Sequence, residues 1–69
     1  MNILSIQSSV TRGFVGNRAA VPALQAFGHD AWPIDTVTFS NHPGHGGFRG
    51  RVTDAALIGE LVAGLRENG

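Results

Sequence analysis

The run Ile3-Leu4-Ser5-Ile6 constrains this chain most. It is short and apolar, carries β-branched residues, and lacks the alternation of a half-exposed strand. That is the pattern of a strand buried on both faces, as in a parallel sheet. Parallel strands need crossover connections and cover above and below. Only 69 residues are present to supply them, and none is cysteine, so no disulfide or thiolate site compensates for a small core.

The rest of the chain continues the same pattern. Residues 9–16 read as a loop. Asn17 is the expected N-cap of a helix beginning at Arg18, and Gly28 its stop. Ala20, Leu24 and Phe27 share one face of that helix, and Pro22 removes one of its internal hydrogen bonds. His29 to Thr38 reads as a second strand, with Pro33 favouring an edge position or a strand start. Ser40 to Arg51 reads as a long irregular loop rich in Gly and His, expected to be the least ordered part of the chain. Asp54 to Asn68 reads as a second helix capped by Thr53 and ended by Asn68-Gly69. Leu57, Leu61 and Leu65 form its apolar stripe, with Ile58 and Val62 beside them. Asp54 and Arg66 suit the two ends of its dipole.

Strand, helix, strand, loop, helix is the opening of an alternating α/β chain. Residues 1–69 form one unit with no linker or repeat. Two strands and two helices do not complete a covered parallel sheet, so the expectation is an incomplete α/β domain whose last helix has little to pack on.

Five arginines balance five acids, which leaves no general electrostatic footprint for nucleic acid or an anionic membrane. No stretch approaches the roughly 20 apolar residues of a spanning helix. The start has no basic region followed by an apolar core, so the expected compartment is the cytoplasm.

The segment Gln7 to Asn17 joins a strand to a helix, where open α/β folds bind ligands. It matches neither a P-loop nor a dinucleotide fingerprint. A structural turn and a ligand loop both remain open. His42 and His45 invite a metal reading, but two imidazoles fall short of the four ligands of a structural zinc site, and solvated loop histidines are the plainer reading. Asp30, Asp35 and Asp54 are scattered, and Ser8 and Ser9 have no histidine nearby in sequence. Trp32, Phe39 and Phe48 read as core or pocket wall. Arg49 and Arg51 flank Gly50, either as solvated loop residues or as contacts for a phosphate.

Three blocks then resemble a known family: Leu4-Ser5-Ile6-Gln7-Ser8, Arg12 to Ala20 (RGFVGNRAA), and Thr36 to His42 (TVTFSNH). In order and spacing they are similar to the N-terminal part of the pyridoxal kinases, over about Ile3 to Val52. The resemblance implies an α/β fold of the ribokinase-like, Rossmann-like three-layer kind, of which β-α-β-α would be the opening part. It implies transfer of the ATP γ-phosphoryl group to the 5′-hydroxyl of pyridoxal, pyridoxine or pyridoxamine in vitamin B6 salvage. Mg²⁺, a monovalent cation and a homodimer are implied with it.

Carried over by position, Ser8 matches a serine bonding the polar edge of the pyridine ring. Val15 matches a residue lining the pocket, and Val37 and Phe39 match its apolar walls. His42 matches a histidine near the ring substituents. Pro43 stands where the family usually has a substrate-contacting threonine, and His45 where it usually has tyrosine. Pro22 is displaced by one from the family's helix proline. The family's catalytic Asp lies in a Gly-x-Gly-Asp motif that this chain does not contain, and neither the ATP site nor a metal site is expected within it. The resemblance therefore implies a substrate-side half-pocket that is inactive by itself. Two other readings stand beside it: a small non-enzymatic B6-binding module and a protein-interaction piece.

Overall fold

The computed structural model describes residues 1–68. Its elements are β1 (Asn2–Arg12), α1 (Asn17–Ala26), β2 (Asp30–Asn41), a 3₁₀ turn (Pro43–His45), β3 (Gly50–Val52) and α2 (Ala55–Glu67). They form one mixed sheet in the order β1-β2-β3, with β1 parallel and β3 antiparallel to β2. The expected α/β class and the parallel β-α-β opening are present. The domain is thin, 41 × 31 × 11 Å, and no side chain among the described residues is fully buried. Val10, Ala31 and Ile34 are the buried apolar residues. Among the described residues no helix is long and apolar enough to cross a membrane.

Strand β1 runs to Arg12, so the expected loop over residues 9–16 shrinks to four residues between strand and helix. Thr11 and Arg12 are exposed, and their strand state comes from pairing with β2 rather than from burial. Asn2 pairs with Asp30, and register is kept to Gln7 opposite Asp35. It then slips, and Ser9 faces Thr38. The slip is a β-bulge: Thr36 and Val37 together stand opposite Ser8.

Asn17 is not the N-cap. Gly16 takes that position, with φ +55° and no side chain to offer, and Asn17 becomes the first helical residue with its side chain turned to the sheet. Gly28 follows the helix at φ +83°, the left-handed stop anticipated for it. Pro22 lies inside α1 as expected.

Ser40 to Arg51 is not one irregular loop. β2 runs into it as far as Asn41, and β3 begins in it at Gly50, pairing Val37 with Val52, Thr38 with Arg51 and Phe39 with Gly50. The Ser40 backbone N–H donates to the Arg49 carbonyl at 2.7 Å, and the Arg49 N–H donates to Ser40 Oγ at 3.0 Å. Asn41 Nδ2 closes the loop by donating to the Gly47 carbonyl at 3.1 Å.

Helix α2 is capped by Asp54, whose carboxylate accepts from the Ala56 N–H at 3.0 Å, and not by Thr53. Thr53 Oγ1 donates instead to the Asp35 carbonyl at 2.6 Å, tying the helix approach to β2. Asn68 ends α2, its N–H and Nδ2 both reaching the Gly64 carbonyl, while Gly69 lies outside the described residues. The leucine stripe is only partly covered: Leu57, Leu61 and Leu65 remain 47%, 43% and 37% exposed. That follows from a single thin sheet with one groove to offer them.

Candidate functional site

The site is built where the parallel pair passes its bulge. Val10 pairs with Phe39 on parallel strands, so their side chains share a face. Val37, two residues before Phe39, and Ser8, two before Val10, fall on that face by the same alternation. The bulge brings Val37 opposite Ser8. Three residues anticipated from sequence, Ser8, Val37 and Phe39, are thus neighbours around a buried valine.

The glycine loop frames this face. A Cβ on Gly13 would stand 3.6 Å from Val10 Cγ2, so the loop turns back close to Val10. A Cβ on Gly16 would overlap the Ser8 carbonyl oxygen and lie 2.5 Å from Ser8 Oγ. The start of α1 therefore rests directly against Ser8. Val15, half-buried, precedes that contact and accepts the Arg18 N–H through its carbonyl at 3.2 Å. On the other side Phe48 packs on Phe39, ring centres 4.6 Å apart at 52°. Gly50 faces Phe39 because any larger residue would press on it, a Cβ falling 2.8 Å from Phe39 Cδ1.

His42 and Pro43 are placed apart from this cluster. Both are exposed at the tip of the β2–β3 connection. His42 Nδ1 accepts the Gly44 N–H at 3.0 Å and caps the 3₁₀ turn, with Pro43 in its first position. The side chain of His45 lies outside the described structure. Among the described residues no three metal-ligating side chains come together.

One polar centre was not singled out from sequence as a site. The Asn17 side chain, 4% exposed, sits between the strands. Its Oδ1 accepts from Ser5 Oγ at 2.7 Å, and its Nδ2 donates to Asp35 Oδ1 at 2.8 Å and to the Ile34 carbonyl at 3.1 Å. A longer contact reaches the Gln7 carbonyl at 3.5 Å. The sequence signal was an amide side chain directly after a glycine at the start of a helix, which reads equally as an ordinary cap.

Comparison with known proteins agrees with this architecture. No protein-family model matches the chain. Pyridoxal kinase PdxY of Corynebacterium diphtheriae is 51% identical over 69 residues, covering 100% of this chain and 24% of that protein. Pyridoxal kinase PdxY of Rubrobacter xylanophilus is 52% identical over the same span, again 24% of its length. Among solved structures, pyridoxal kinase from Leishmania donovani in complex with ADP and ginkgotoxin superposes with a TM-score of 0.91 at 45% identity, covering 97% of this chain and 23% of that one. Pyridoxal kinase from Trypanosoma brucei superposes with a TM-score of 0.90 at 46% identity, covering 99% and 24%. The chain thus spans about a quarter of the length of the relatives it matches, and in sequence and fold it is similar to the N-terminal part of those pyridoxal kinases.

Proposed function

We propose that these residues form the substrate-side wall of an ATP-dependent pyridoxal kinase, which phosphorylates the 5′-hydroxyl of pyridoxal, pyridoxine or pyridoxamine. The observation that supports it best is the grouping of Ser8, Val37 and Phe39 around Val10 beneath the glycine loop. Small-molecule sites pair apolar walls with a few fixed polar groups. In this reading Val15, Val37 and Phe39 enclose the planar ring, and Ser8 Oγ hydrogen-bonds its polar edge. His42 and Pro43, exposed at the β2–β3 tip, are assigned to the ring substituents by position in the family alone. Leishmania donovani pyridoxal kinase is known in complexes with ADP and with pyridoxine or pyridoxamine, which supports both the nucleotide and the B6 assignment.

The residues present do not by themselves make a phosphoryl-transfer site. Transfer needs a base, a phosphate cradle and charge neutralisation held together. The sequence has no Gly-x-Gly-Asp motif, and the described residues offer no metal cluster. Mg²⁺, a monovalent cation, the homodimer and a cytoplasmic setting belong to this proposal for the complete kinase.

A chimera tests the reading. Residues 1–69 replace the matching quarter of the Corynebacterium diphtheriae enzyme, and pyridoxal 5′-phosphate formation is followed with ATP. Turnover is expected. A folded chimera that binds nucleotide yet makes no product would refute the assignment. A second reading, a protein-interaction piece, is favoured by the exposed leucines of α2. Sedimentation of the 69-residue chain as a monomer at high concentration would remove it.

A further inference from the structure

We infer that Asn17 is a positioning residue for the ring-facing wall, its carboxamide fixing the strand register that sets Ser8 opposite Val37. The inference rests on the pyridoxal kinase reading above. Asn17 is among the most buried residues of the domain, and its side chain hydrogen-bonds to both β1 and β2. Its partners all lie on the N-terminal side of the bulge, where the two strands are last in their original register. Ser5 and Gln7 lie just before the slip on β1, and Ile34 and Asp35 just before it on β2.

A buried amide without partners is costly, so a core residue at this position would more simply be apolar. What the amide adds is directional. One group accepts from β1 and donates to β2, so the two strands cannot slide past each other without breaking bonds on one side or the other. The same residue opens α1, and the residue before it, Gly16, rests on the Ser8 backbone. Asn17 therefore sets two distances at once: strand to strand at the bulge, and helix start to Ser8. Asp35 completes the unit from β2. Its side chain accepts from Asn17, and its carbonyl accepts from Thr53.

The chimera provides the test, with Asn17→Ala, Asn17→Asp, and Asn17→Asp combined with Asp35→Asn. Asp54→Ala serves as a variant destabilised at a distant helix cap. Asn17→Ala is expected to raise KM for pyridoxal roughly tenfold, the equivalent of one lost buried hydrogen bond, and to change KM for ATP by less than about twofold. Asn17→Asp sets two carboxylates against each other and is expected to be worse. Adding Asp35→Asn restores a donor–acceptor pair between the same positions and should recover part of the loss. Asp54→Ala should leave KM for pyridoxal unchanged. An unchanged KM in folded Asn17→Ala, or an equal rise in Asp54→Ala, would overturn the inference. If the unsubstituted chimera is inactive, the kinase reading fails separately. The register claim is then decided on the 69-residue chain by nuclear Overhauser contacts between Ser8 and Val37. Their loss in Asn17→Ala alone supports the positioning role, and their persistence refutes it.

Discussion

Replacing Gly16 by alanine probes the contact between the start of α1 and Ser8. Two effects act on the new methyl group. The backbone sits at φ +55°, a region that costs an L-residue about 1–3 kcal/mol. The Cβ would also lie 2.7 Å from the Ser8 carbonyl carbon and overlap its oxygen, where ordinary contact begins at 3.4 Å. These obstructing atoms are the Ser8 backbone, held within β1, and have no rotamer to escape into. The helix start must therefore retreat by several tenths of an ångström and pull on the Asn17 hydrogen bonds. Gly28 gives the internal standard, because it has φ +83° and nothing within 4 Å of a Cβ. Gly28→Ala carries only the backbone cost, about 1–2 kcal/mol. Gly16→Ala should exceed it by about 2 kcal/mol or more, in the range of overpacking. For a domain of this size each kcal/mol lowers Tm by about 4–8 °C. Thermal unfolding followed by far-ultraviolet ellipticity should thus separate the two variants by roughly 8 °C or more. Equal Tm values would show that the close approach to Ser8 is not a constraint and would refute the reasoning.

The remaining predictions are shorter. Asp54→Ala should cost about 1 kcal/mol through the lost helix cap, and Thr53→Ala should not reproduce its loss of α2 ellipticity, since Thr53 bonds β2 instead. Phe48→Ala should cost about 0.5–1.5 kcal/mol beyond its area by removing the ring against Phe39, with faster amide exchange at Gly50 and Arg51 as the local sign. The 69-residue chain given pyridoxal and ATP should form no pyridoxal 5′-phosphate, because it carries no Gly-x-Gly-Asp motif; product in a coupled assay would contradict this.

Much of the architecture was readable from local pattern. Both helices, the first strand and the stop at Gly28 follow from residues close together in sequence. What escaped depends on partners far along the chain. The Arg49-Gly50-Arg51-Val52 stretch has no alternation to announce a strand, and β3 exists because Gly50 lets its backbone approach Thr38 and Phe39. The second half of β1 is mostly polar and reads locally as loop, although Thr11 and Arg12 gain strand geometry from β2. By residue type alone Asn17 reads as a cap. The positive φ of Gly16 and the acceptors supplied by β2 decide otherwise, and neither is visible locally. At the site, the assignment of Ser8, Val37 and Phe39 came from resemblance, and only the bulge explains why residues 29 apart in sequence meet.

Strand β2 carries both kinds of neighbour, and this sets an order of assembly. Its antiparallel partner β3 is reached across a short connection between Phe39 and Gly50, whereas its parallel partner β1 returns only through the whole of α1. Hairpins close in about 1–10 μs, and longer loops add entropy to the closure. The β2–β3 hairpin is thus available as a template before the crossover closes. Mutations at Gly50 should slow refolding, while those at Asn17 should chiefly speed unfolding, because the bonds from the start of α1 to both strands form last.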